Sequence, residues 1–127
     1  MRWVPFVALI GAAVPVHAAW ERIEATGQQE SGDSTLYVDR KSIEQLETTR
    51  RIRQLYDMRS ATPSGMRSWI SLEEYDCRGK QLRLLEAIAF AEPMAGGKQL
   101  GSMNIPLPWM RVTPGTSSER VLQIVCQ

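Results

Sequence analysis

The 127-residue chain has one histidine, two cysteines and no long apolar run outside its first eighteen residues. Each shortage removes a class of chemistry. The histidine is His17, inside a segment read below as a leader, so the working protein is expected to lack an imidazole altogether. That takes away the commonest general base and the commonest metal ligand. Two cysteines and no histidine fall short of the usual four-ligand cysteine and histidine zinc set, and Cys77 and Cys126 lack the close C-x-x-C spacing that a redox pair more often shows. No serine sits in a nucleophile elbow and no glycine run resembles a phosphate loop. Charge of one sign is missing too. The whole chain carries +1, and loss of Arg2 with the leader makes the remainder formally neutral, which does not steer a protein to nucleic acid.

What is present begins with an export signal. Met1, Arg2 and Trp3 give a short positive start, residues 4–14 are mostly apolar, and Val16, His17 and Ala18 end in the small residue that signal peptidase accepts. Pro5 and Pro15 interrupt this stretch, which is well short of the ~20 residues that span a bilayer. Residues 1–18 therefore read as a signal peptide cleaved between Ala18 and Ala19. Residues 19–127 read as a single domain with no transmembrane segment. Position 19 is alanine rather than cysteine, so no lipid anchor is expected. Export makes a disulfide between Cys77 and Cys126 the natural reading of an even cysteine count.

The domain reads as a series of strands closed by one helix. Residues 20–25, 35–38, 48–59 and 66–77 are β-prone or alternate, with turn signals at Pro63-Ser64-Gly65 and Arg78-Gly79-Lys80. Residues 42–46 suit one helical turn. Residues 81–91 are rich in Leu, Ala and Glu and suit a helix as well as a strand; their hairpin spacing favours a strand, with Leu82, Leu84, Ile88 and Phe90 on one face. Pro106 and Pro108 confine 98–105 to an edge. Thr116 and Glu119 fit a capping box ahead of Val121, Leu122, Val125 and Cys126 at helical spacing. A bond from Cys126 to Cys77 would pin that helix to the sheet.

Two charged groups are candidates for a site. Glu74 and Asp76 share a strand face, as calcium ligands or an acid–base pair would, but no further ligand cluster supports them, and pairing with arginines of a neighbouring strand is the commoner use. Arg51, Arg53 and Arg59 make a candidate basic strand for an acidic partner, with the ordinary charged, aggregation-resisting face as the alternative. Trp20, Trp69, Trp109, Tyr37, Tyr56 and Tyr75 suit core and cross-strand packing or a binding hot spot.

Trp20, Tyr37-Val38-Asp39 with Ser42-Ile43, Leu55-Tyr56-Asp57, Ser71 through Cys77, Gly97, Trp109, Val112 through Thr116, and Val125-Cys126 together resemble the surface-adhesin protein E family of exported bacterial proteins. The resemblance implies an α+β fold: a curved antiparallel sheet of about six strands with a disulfide-tethered C-terminal helix on one face. It implies a non-enzymatic binding protein without cofactor or metal, acting in the envelope or outside it. The implied partner is a host matrix or serum protein, vitronectin being one ligand of the family, or else an envelope component. Well-known members carry a lipid-bearing cysteine where this chain has Ala19. That departure keeps a second expectation open, a soluble periplasmic house-keeping or assembly factor.

Overall fold

The structure, a computed structural model, describes residues 19–27, 32–104 and 106–127. The leader reading of residues 1–18, including the Ala18 side of the cleavage point, lies outside the described residues. Strands β1 (Glu21–Ile23), β2 (Ser34–Gln45), β3 (Thr49–Met58), β4 (Ser68–Asp76), β5 (Gln81–Glu92), β6 (Gly96–Met103) and β7 (Met110–Arg111) precede helix α1 (Ser117–Val125). They form one antiparallel sheet in the order β1-β2-β3-β4-β5-β6. β6 takes the later half of the β5 edge and β7 takes Gln81 and Leu82 at its start. Residues 81–91, compatible with either structure by composition, are strand.

Alternation along β3 explains the two faces. Ile52 and Gln54 are fully buried while Arg53 between them is exposed. The Ile52 side carries the helix. Val121, Leu122 and Val125 of α1 pack there with Ile23, Leu36, Val38, Ile52, Tyr75 and Val112. Fully burying each such side chain contributes roughly 1.5–3 kcal/mol.

Two expectations fail, each at a β-bulge. Residues 42–46 are not a helical turn, because β2 continues to Gln45. Asp39 pairs with Arg53 and Glu44 with Arg51, which leaves residues 40–43 opposite Ile52 alone. Ser42 Oγ donates to Asp39 O at 2.6 Å and accepts from Arg53 N at 2.8 Å, so a side chain replaces the missing rungs and the strand resumes. On β5, Leu82, Leu84, Ile88 and Phe90 do not share a face. Leu84 pairs with Glu73 but Glu86 pairs with Leu72, so Leu85 is an inserted residue. Beyond it Ala87 and Ala89 point to the helix side, and Ile88 and Phe90 point away.

The helix begins as its sequence signals. Thr116 Oγ1 accepts from Glu119 N at 3.2 Å. The Glu119 carboxylate accepts from Gly115 N at 2.8 Å and from Thr26 Oγ1, and Gly27 N reaches Gly115 O at 3.0 Å. Gly115 has φ +86°, a conformation that suits a residue without Cβ at this turn. Thr116→Ala is expected to lower stability by about 1 kcal/mol in urea titration, through loss of the cap. At the other end of the helix, Cys126 is bonded to Cys77, the residue after β4.

Candidate functional site

The face opposite the helix is built from the odd residues of β3 and the even residues of β4. Register places Tyr37, Leu55, Ile70 and Ile88 in one row across β2 to β5. Asp39, Arg53, Leu72 and Glu86 form the next row, and Glu44, Arg51, Glu74 and Arg83 the one beyond. Tyr37, Ile70, Leu72 and Ile88 are each half-buried. The turn Pro93–Ala95 folds over one end of this face: Met94 N donates to Asp57 Oδ1 at 2.8 Å and Ala95 N to Ser68 Oγ at 2.8 Å. No helix among the described residues covers the rest. An apolar row flanked by charged rows is the composition of a protein-contact surface with a polar rim.

The predicted basic strand divides here. Arg53 and Arg59 are exposed, Arg53 on this face and Arg59 just past the end of β3. Arg51 instead turns towards Glu74. Its Nε stands 3.8 Å from Glu74 Oε2, beyond hydrogen-bonding range, and finds no other acceptor. Arg83 makes the closer pair, 2.8 and 2.9 Å to Glu74 Oε1, while Thr49 Oγ1 donates to Oε2 at 2.6 Å. Burial pushes the Glu74 carboxyl upwards, but the hydrogen bonds from Thr49 and Arg83 and the charges of Arg83 and Arg51 outweigh it and hold it below its ordinary value. Glu74 is thus the arginine partner weighed from sequence, not half of an acid–base pair with Asp76, whose Oδ1 accepts from Arg78 N and Gly79 N in the hairpin turn. Arg83 also lies over the Trp109 ring, 4.5 Å from its centroid. This contact fixes the segment that runs past the β5 edge.

That segment walls a groove on the helix side of the sheet. The groove has a volume of about 350 Å³, and its floor is Tyr56, Trp69, Glu73, Leu82 and Leu84. The wall runs from Leu107 to Thr113, and Leu107 N bonds to Leu84 O at 2.9 Å. Thr116 and Ser118 at the start of α1 close one side. Trp69 stacks on Tyr56 with centroids 4.3 Å apart and planes 9° from parallel.

Glu73 belongs to the acidic group Glu73, Glu74 and Asp76 in the sequence, where its opposite parity to Glu74 gives it no role in a close pair, and it is the most unusual group among the described residues. It is 3 % exposed. A buried chain of hydrogen bonds ends on it. Tyr75 OH donates to Gln54 Oε1 at 2.6 Å, Gln54 Nε2 to Tyr56 OH at 3.1 Å, and Tyr56 OH to Glu73 Oε2 at 3.1 Å. Ser71 Oγ donates to the same oxygen at 2.9 Å. Burial pushes the Glu73 carboxyl up to about 7 although the bonds from Ser71 and Tyr56 oppose it. Burial likewise raises Tyr75 well above its ordinary value, with the Glu73 charge adding to the effect. The signal available in sequence was parity: Glu73 shares its strand face with Trp69, Ser71 and Tyr75, an inward-facing set.

No group of three or more metal-ligating side chains occurs among the described residues, and no helix among them is long and apolar enough to cross a membrane.

The family model described as surface-adhesin protein E matches residues 20–127. Among solved structures, the selenomethionine form of Haemophilus influenzae protein E superposes with a TM-score of 0.64 at 16 % identity, covering 87 % of this chain and 88 % of that one. A second crystal form of the same protein gives 0.60 at 16 % identity, with 90 % and 96 % covered. Protein E from non-typeable Haemophilus influenzae gives 0.63 at 15 % identity, with 87 % and 77 % covered. Identities this low establish a shared fold. No curated protein matches the sequence significantly.

Proposed function

Since the chain belongs to the surface-adhesin protein E family, we propose that it is a non-enzymatic binding protein that holds a host matrix or serum protein through the helix-free face of its sheet. The observation that carries this reading is the Tyr37–Leu55–Ile70–Ile88 row, in which Leu55 is fully buried and the other three side chains are half-buried, on a face that no described helix covers, with exposed Arg53 in the next row. The apolar row supplies contact area. Arg53 and Arg59 lie where charges speed encounter with an acidic partner. The protein reaches its partner after export and cleavage between Ala18 and Ala19.

The test presents immobilised residues 19–127 to purified matrix and serum proteins one at a time. Saturable binding that weakens with salt is expected. Ile88→Lys, at the β5 end of the apolar row, is expected to weaken it at least about tenfold while the melting temperature moves by only a few degrees. Arg53→Glu with Arg59→Glu should slow association more than it speeds dissociation. Absence of binding to every such protein at micromolar concentration would remove the proposal. Fractionation then decides the compartment. Recovery at the cell surface or in the medium fits adhesion, whereas confinement to osmotic-shock fluid favours the periplasmic assembly role, for which Ala19 at the cleavage point is the supporting feature.

A further inference from the structure

The groove on the opposite side of the sheet holds a carboxyl group that the protein itself leaves half-served. Both hydrogen bonds to Glu73 land on Oε2. Among the described residues none donates to Oε1, and no lysine or arginine pairs with this side chain. A buried carboxylate without a counter-ion is costly, and proteins normally supply the partner. We propose that the groove binds a small apolar amine, its stem against Trp69, Leu82, Leu84 and Met110 and its ammonium group on Glu73 Oε1.

Size and lining agree with such a ligand. A volume of about 350 Å³ lies at the lower end of small-molecule sites and admits roughly ten non-hydrogen atoms. The floor is aromatic and aliphatic with one acid, the pattern in which apolar surface gives affinity and one polar group gives orientation. Around Glu73 stand the phenols of Tyr56 and Tyr75, the amide of Gln54 and the hydroxyls of Ser71, Thr116 and Ser118. Arg111 is the cation in the lining and is exposed to solvent on β7. An anionic ligand would meet Glu73 as a like charge, and a neutral one would leave Oε1 unserved or depend on its proton. The proposal is independent of the helix-free face and its protein partner.

The test titrates 3-phenylpropylamine, 3-phenylpropanol and 3-phenylpropanoate into residues 19–127 and follows backbone amide and indole signals by NMR. The amine is expected to saturate shifts confined to the groove and to bind at least about tenfold more tightly than the alcohol, with the carboxylate inert. Amine affinity should rise roughly tenfold from pH 6 to pH 8, as the Glu73 carboxyl ionises and the amine stays charged. Glu73→Gln should erase both the amine preference and the pH dependence. Met110 is 60 % exposed at the rim, so substitutions there spare the fold. Met110→Glu is expected to tighten amine binding and Met110→Arg to weaken it. Equal binding of alcohol and amine, identical effects of the two Met110 substitutions, or no groove shift with millimolar amine would each overturn the proposal.

Discussion

Replacing Cys77 and Cys126 together by serine is expected to lower the stability of the domain by about 4 kcal/mol. The bond closes a loop of sequence separation 49. Chain-entropy reasoning assigns about 4 kcal/mol to a loop of that size, a large share of the ~5–15 kcal/mol that holds an ordinary domain folded. The loss should fall unevenly. α1 has nine residues, too few to persist as a helix without packing. Its start is held by Thr116, Gly115 and the Thr26–Glu119 hydrogen bond, but its end is held by the disulfide and by Val125. In the double-serine variant the last turn should exchange its amide hydrogens first, with β3 and β4 remaining protected until global unfolding. Guanidinium titration gives the total and hydrogen exchange gives the order. A change below about 1 kcal/mol would mean that the helix docks unaided, and uniform exchange across helix and sheet would contradict the local account.

Where sequence and structure agree, a short-range rule was sufficient. The alternation of β3, the Thr116 cap and the turn residues around Gly65 and Gly79 each depend on neighbours within a few positions. The cysteine pairing follows from composition and compartment, and the structure has Cys77 bonded to Cys126. The two misreadings have one cause. A bulge inserts a residue without changing the local composition, so neither Ser42 substituting for backbone rungs nor Leu85 switching the face of Ile88 and Phe90 leaves a mark in the pattern. The consequence reaches function. Only the switch at Leu85 brings Ile88 beside Ile70 on the helix-free face while Leu82 and Leu84 stay in the groove.

The basic strand was legible as a run of charges but not as a set of contacts. Arg51 and Arg53 share a face, yet the glutamate across the ladder from Arg51 is already held by Arg83, and across the ladder from Arg53 stands Leu72. Partner choice between charges on adjacent strands depends on register, which the bulges shift. The same dependence hid Glu73. Glu73 and Glu74 look alike in sequence and point to opposite faces. One meets two arginines and is held low; the other meets two hydroxyls, a stacked aromatic pair and a mostly apolar groove, and burial pushes it high.

Glu73→Gln is expected to stabilise the protein at pH 8 by roughly 2–3 kcal/mol and to leave it nearly unchanged at pH 4.5. The folded state holds the Glu73 carboxyl at about 7 against an ordinary value of 4.5. The folded protein therefore binds this proton more tightly than the unfolded chain does. Stability from that difference is complete below about pH 4.5 and is lost as the pH rises through 7. At pH 8 the ionised carboxylate sits 3 % exposed and without a cation among the described residues, and glutamine removes that charge while keeping an oxygen for Ser71 and Tyr56. Glu74 acts in the opposite sense. Its lowered value gives stability that is present above 4.5 and lost as the pH falls below it, so the wild-type protein should be most stable near pH 5 rather than at neutrality. Urea titrations of both proteins at half-unit steps from pH 4 to 8 measure the difference directly. The curves should meet at the acid end and separate steadily above pH 5. Parallel curves, or a glutamine variant weaker than wild type at pH 8, would show that the ionised Glu73 carboxylate is already stabilised within the fold, and the groove would then lack the unserved oxygen on which amine binding depends.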